Sequence, residues 1–121
     1  IIDHDPSLYI FADYNQTKQI MINLLLNATQ AVDKQGEVRI KYQAVSKQVY
    51  ITIEDTGKGI SEEKLPYVFE PFYTDKKHGT GLGLSLSLQY IQENDGDLLI
   101  ESQAGVGTTV TVILPRGVSE Q

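Results

Sequence analysis

Three groups of residues have types and spacings suited to chemistry. Glycines alternate at 79, 81 and 83 in HGTGLGLSLSLQY (78–90), directly ahead of a stretch with helical character. Alternating glycines cost conformational entropy, which favours them only where backbone N–H groups are exposed or closely approached. At a helix N-terminus those groups, with the positive end of the dipole, hold anions. Lys76 and Lys77 stand just upstream and can add charge for a phosphate; the alternative is a flexible turn with two solvated lysines. The familiar phosphate loops do not fit, because GxxxxGK[ST] is absent and the spacing at 79–83 is GxGxG rather than GxGxxG.

The second group is Asp55 in DTGKGI (55–60). Counting by two, Val49, Ile51 and Ile53 share one face of a strand, and Asp55 continues that face. A carboxylate closing an apolar row is expensive to bury without a donor partner. Gly57 and Gly59 follow in a turn where a ligand can lie against the backbone. One reading is a strand end with an Asx turn. The other is a carboxylate facing a flat pocket and accepting from an exocyclic amine such as that of adenine, a charge-assisted bond worth roughly 1.5–3 kcal/mol.

The third group is Asn23 and Asn27, four residues apart and therefore side by side on a helix. They belong to a narrow uncharged ridge of Gln16, Gln19, Asn23, Asn27 and Gln30, flanked by Ile22 and Leu26, which are expected to keep water from it. Either the amides are solvated at a helix edge, or their oxygens serve as hard ligands to magnesium that also holds phosphate.

The elements that must position these groups are legible in the hydrophobic pattern. Segments 38–45 and 48–55 alternate apolar and polar residues around a Ser46-Lys47 join, and 98–102 and 108–114 flank a turn with Gly105 and Gly107. Ile10–Phe11 is a candidate short leading strand. Helices are expected over 16–33, near 62–68, and over 84–95, the last stopped by Gly96. On the first of these, Ile20, Met21, Leu24, Leu25, Ala28, Ala31 and Val32 form one broad apolar stripe. Strand connections too short for a parallel crossover imply an α+β, two-layer sandwich: a mixed, mostly antiparallel sheet covered by helices on one face. Segment 73–81 is the candidate mobile loop.

With 121 residues, 40% hydrophobic and 21% charged, the chain suits a single globular domain over 1–121. It contains no apolar run of 18 or more residues of the kind a membrane span needs. The absence of cysteine excludes disulfides and cysteine-ligated metal, and accords with a cytoplasmic setting. A net charge of −6 argues against nucleic acid as partner. Ile1 as the first residue points to a segment of a longer protein.

Taken in order, the motifs resemble the ATP-binding catalytic domain of sensor histidine kinases, within the superfamily that includes DNA gyrase and the mismatch-repair ATPases (the Bergerat ATP-binding fold). NLLLNATQAV (23–32) resembles its asparagine box, DTGKGI (55–60) and GTGLGLSLS (79–87) its two glycine boxes, FEPFYT (69–74) its phenylalanine box, and GVGTTVTVILP (105–115) its closing strand pair. The resemblance implies that Asn27 coordinates magnesium with support from Asn23. It implies that Asp55 takes the adenine amine, with Gly57 and Gly59 in the turn beneath the base and Thr108 reaching the same end through water. Tyr73, Thr74 and Lys76 would belong to a lid over ATP. Gly79, Thr80, Gly81, Leu82 and Gly83 would cradle the phosphates, and Phe69 and Phe72 would pack and anchor the lid.

Asn23, Asn27 and Lys76 are thus the expected catalytic set. The resemblance implies a glutamate at the position of Asn23 in hydrolytic members and anti-sigma serine kinases, able to act as a base; an amide cannot, which favours transfer to a histidine. Neither His4 nor His78 sits in the family's acceptor context. The implied partners are therefore a phosphoacceptor dimerisation domain of the same protein and a response regulator, with any membrane attachment supplied by sensor regions elsewhere. The competing readings are a serine kinase, anti-sigma factor or ATPase switch on the same fold, and a nucleotide-binding module that only regulates a partner.

Overall fold

The computed structural model describes residues 2–3, 9–33, 35–70 and 83–117. The alternating segments form the expected strands: β2 (Val38–Val45) and β3 (Gln48–Asp55) pair antiparallel around the two-residue link, where Ser46 takes φ 57°. A second hairpin joins β4 (Asp97–Gln103) to β5 (Gly107–Pro115), and β5 also pairs antiparallel with β3. The leading strand is β1 (Ile2–Asp3), parallel to β2, whereas Ile10 makes only an isolated bridge to Arg116. Sheet order is β1-β2-β3-β5-β4, a mixed, mostly antiparallel sheet.

Helix α1 (Tyr14–Ala31) begins two residues before the expected start because Asp13 caps it, accepting from the Gln16 N–H at 2.8 Å. Helix α2 (Gly83–Glu93) ends in a Schellman arrangement, with Gly96 N–H bonding to Ile91 O and Asp95 N–H to Gln92 O. The left-handed residue there is Asp95 at φ 60°, not Gly96. Gly96 is required because a Cβ would overlap the Ile113 carbonyl and press on Leu114 and Ile91. The short helix near 62–68 is a single 3-10 turn over Leu65–Tyr67, with Pro66 in its first positions.

Ile20, Leu24 and Ala28 of α1 and Ile91 of α2 pack on Ile40, Val49, Ile51, Ile53, Leu98, Val112 and Leu114 of the sheet. Met21, Leu25 and Phe69 lie half-buried against that core, as the helical stripe and the packing reading of Phe69 require. The helices run antiparallel. Asn94, just past α2, accepts from Asp13 N–H at 2.7 Å and donates to Gln16 Oε1 at 2.7 Å, so the end of α2 closes the start of α1. Among the described residues no helix is long and apolar enough to cross a membrane.

Candidate nucleotide site

Strand register turns the oddity at Asp55 into a surface. On the helix-facing side of the sheet, Ile40, Ile53, Val110 and Ile100 form one cross-strand row, and Tyr42, Ile51, Val112 and Leu98 form the next. The row that closes this face is Val38, Asp55, Thr108 and Ser102. Three of its four members are polar and all are half-buried, so the apolar core ends at a strip of oxygen atoms. Directly opposed residues hold their Cβ atoms about 4.5–5.5 Å apart, close enough for one ligand group to meet two of them.

The turn after Asp55 is held from both sides. Asp55 Oδ1 accepts from Gly57 N–H at 2.9 Å, an Asx turn that leaves the second carboxylate oxygen for another donor. A Cβ on Gly57 would overlap the Ala31 carbonyl, and Lys58 N–H donates to that same oxygen at 3.1 Å. On the other side Gly105 N–H donates to Lys58 O at 2.7 Å, and Gly59, at φ 69°, has its Cβ position filled by the Gln103 carbonyl. Chain packing by itself therefore requires glycine at 57 and 59. The turn is a wedge clamped between the end of α1 and the β4–β5 hairpin.

Residues Gln19, Asn23, Asn27 and Ala31 recur every four positions and form one row along α1. Gln19 Nε2 donates to Asn23 Oδ1 at 2.9 Å, while Asn23 Nδ2 faces Ser87 Oγ at 3.4 Å and Gly83 O at 3.5 Å. Ser87 is fully buried, so α2 is what shelters Asn23. Ile22 and Leu26, expected to shield the ridge, are 41% and 52% exposed. One turn on, the Asn27 side-chain nitrogen lies 3.9 Å from where a Gly83 Cβ would stand. Among the described residues, unlike at Gly57 and Gly59, nothing overlaps a Cβ at Gly83, where α2 begins beside that amide. From Asn23 to Ala31 the row rises about 12 Å, joining the carboxylate strip at one end to the α2 N-terminus at the other.

The family model for histidine kinase-, DNA gyrase B- and HSP90-like ATPases matches residues 12–118. This chain belongs to that ATPase family. Sporulation kinase C of Bacillus subtilis (strain 168) is 42% identical over 106 residues, covering 88% of this chain and 25% of that protein. Signal transduction histidine-protein kinase AtoS of Escherichia coli (strain K12) is 44% identical over 107 residues, covering 88% of this chain and 18% of that protein. The solved nucleotide-free catalytic domain of histidine kinase ThkA superposes with a TM-score of 0.83 at 30% identity, covering 95% of this chain and 80% of that one. The chain thus spans a quarter or less of these two curated relatives.

Within this ATPase architecture the described donors suit a hard cation only in part. The Asn27 side-chain amide stands beside a helix N-terminus, its nitrogen 3.9 Å from the Gly83 Cβ position, where the positive dipole end favours anions. Two neutral amides fit a magnesium ion whose other ligands are phosphate oxygens and water. No cluster of three His, Asp or Glu able to hold a metal occurs among the described residues. Asn23, expected to support the ion, also accepts from Gln19 and faces Ser87 of α2, so it links the two helices. Tyr73, Thr74, Lys76, Gly79, Thr80, Gly81 and Leu82 lie outside the described residues, as do Phe72, His4 and His78.

Sequence reasoning missed Ser102 and Ser87. Leu98, Ile100 and Ser102 alternate toward the core just as Ile51, Ile53 and Asp55 do, so the signal that exposed Asp55 was present for Ser102 as well. Ser87 was hidden, because its partner Asn23 lies 64 residues away.

Proposed function

We propose that this chain is the catalytic, ATP-binding part of a two-component histidine kinase, acting in the cytoplasm. The observation that carries the reading is the α1 row, which links an acceptor-lined sheet end at Asp55 and Thr108 to the helix N-terminus at Gly83 beside Asn27. One end suits a base bearing an exocyclic amine, and the other suits phosphate.

In this reading Asp55 accepts a hydrogen bond from the adenine amine and Thr108 supports the same end. The glycine segment from 79 to 83 and the first turn of α2 hold the phosphates, with Lys76, Tyr73 and Thr74 in the lid. Asn27 would hold magnesium through its amide oxygen, with Asn23 supporting it and fixing the spacing of α1 and α2. Bound magnesium would supply positive charge that neutralises the phosphates. The imidazole nitrogen of an acceptor histidine on the dimerisation domain attacks the γ-phosphorus. The bond from phosphorus to the β–γ bridging oxygen breaks, ADP departs with that electron pair, and the imidazole gives up its N–H proton to solvent. A neutral imidazole is nucleophilic without a base, so an amide at position 23 suffices. The phosphoryl group would then pass to a response regulator.

The test mixes the chain with Mg-ATP and a separately supplied dimerisation domain carrying its histidine. Acid-labile, alkali-stable phosphorylation of that domain is expected, with little ATP hydrolysis by the chain alone. Brisk hydrolysis without the acceptor would overturn the reading in favour of an ATPase switch.

A further inference from the structure

Ser102 Oγ has three polar neighbours: Ile60 N at 2.7 Å, Gly107 O at 3.0 Å and Thr108 Oγ1 at 2.7 Å. A serine hydroxyl has one proton and two lone pairs. Ile60 N–H can only donate, so it occupies one lone pair. Gly107 O can only accept, so it takes the Ser102 proton. The remaining lone pair accepts from Thr108, whose own proton is thereby committed. One assignment alone satisfies all three contacts, and it leaves Thr108 Oγ1 presenting only lone pairs elsewhere. Its cross-strand neighbour Asp55 already spends Oδ1 on Gly57 N–H and is likewise an acceptor.

We infer that Ser102 is a positioning residue for base selection: by holding the Thr108 hydroxyl proton, it makes the end of the site a surface of acceptors only. Such a surface admits an amine and rejects a carbonyl, because a buried acceptor facing another acceptor is left unpaired. This rests on the ATP reading above, in which Asp55 accepts from the base amine and Thr108 supports the same end. Ser102 itself stands one strand further out, on β4, behind Thr108. Its bond to Ile60 N–H also pins the backbone that follows the Asp55 turn.

The experiment compares dissociation constants for ATP and for inosine triphosphate, which carries a carbonyl in place of the amine. With Ser102→Ala the Thr108 hydroxyl is free to rotate and donate, so the preference for ATP is expected to fall about tenfold, the worth of one ordinary hydrogen bond. Ser102→Thr keeps a hydroxyl and should restore the preference. In a Thr108→Val background Ser102→Ala should change the preference no further, which a merely structural role would not produce. Equal loss for both nucleotides in Ser102→Ala, with the unsubstituted chain preferring ATP, would overturn the role of Ser102 alone. No preference in the unsubstituted chain would overturn the ATP reading and this inference with it. Independently of any variant, the Thr108 hydroxyl proton of the nucleotide-free chain should exchange slowly and show a magnetisation-transfer cross-peak to the Ser102 β-protons. A Thr108 hydroxyl in fast exchange with water would contradict the assignment.

Discussion

Gly105 and Gly107 occupy one hairpin, and replacing each by alanine separates packing from site geometry. Both have positive φ, 80° and 149°, but a Cβ on Gly105 meets nothing within 4 Å among the described residues, whereas one on Gly107 overlaps the Asp55 carbonyl oxygen and lies 3.1 Å from its carbon. For Gly105→Ala the left-handed backbone costs about 1–2 kcal/mol, offset by 0.4–1 kcal/mol of lost unfolded-state freedom. The net is roughly 0.5–1 kcal/mol, or about 2–4 °C in thermal midpoint for a chain of this size. Gly107→Ala carries the same strain and must also part β5 from β3 where Asp55 opposes Thr108. Losing one or two ladder hydrogen bonds at about 1 kcal/mol each, together with the bond from Ser102 to Gly107 O, brings the total to about 3–5 kcal/mol. Calorimetry on both variants should show a midpoint drop at least three times larger for Gly107→Ala. Titration below the midpoint should show weakened ATP binding for that variant only. Similar midpoints for the two, or normal ATP affinity in Gly107→Ala, would refute the idea that the hairpin sets the position of Thr108.

Asp55→Asn keeps an oxygen for the Gly57 N–H and exchanges the other acceptor for a donor, so the fold should hold while ATP affinity falls roughly 10- to 150-fold, the equivalent of 1.5–3 kcal/mol, by isothermal titration. Asn27→Ala should weaken Mg-ATP binding much more than metal-free ATP binding; equal losses would remove Asn27 from the metal. Asn94→Ala deletes the bonds from Asp13 N–H, to Gln16 Oε1 and to Tyr90 O. At about 1 kcal/mol each it should lower stability by roughly 2–3 kcal/mol in urea denaturation, with little change in nucleotide affinity of the folded fraction.

Much of this geometry was legible because it depends on periodicity within single elements. Alternation along 48–55 put Asp55 at the end of an apolar face, and the helical wheel of 16–33 put Ile20, Leu24 and Ala28 in the core. What escaped depends on contacts between elements. Thr108 and Ser102 join Asp55 only through the register of β3, β5 and β4, which local pattern does not fix. The shelter of Asn23 comes from α2 rather than from its helical neighbours Ile22 and Leu26, a distinction invisible before the helices are docked. Gly57 and Gly59 read as room for a ligand, yet their Cβ positions are filled by Ala31 and Gln103. At Gly83, by contrast, no described atom overlaps the Cβ position, the Asn27 amide nitrogen standing 3.9 Å away.

The most direct test of the central claim is a titration of the isotope-labelled chain with Mg-ATP, followed residue by residue by NMR. The account predicts saturable shifts at both ends of the α1 row: Gly57, Gly59 and Thr108 at the base end, Asn27 and Gly83 at the phosphate end. Adenosine alone should move the first set and leave Asn27 and Gly83 in place. Shifts confined to the outer concavity bounded by Ile60, Glu63 and Ala104, or no saturable shift at all, would contradict it.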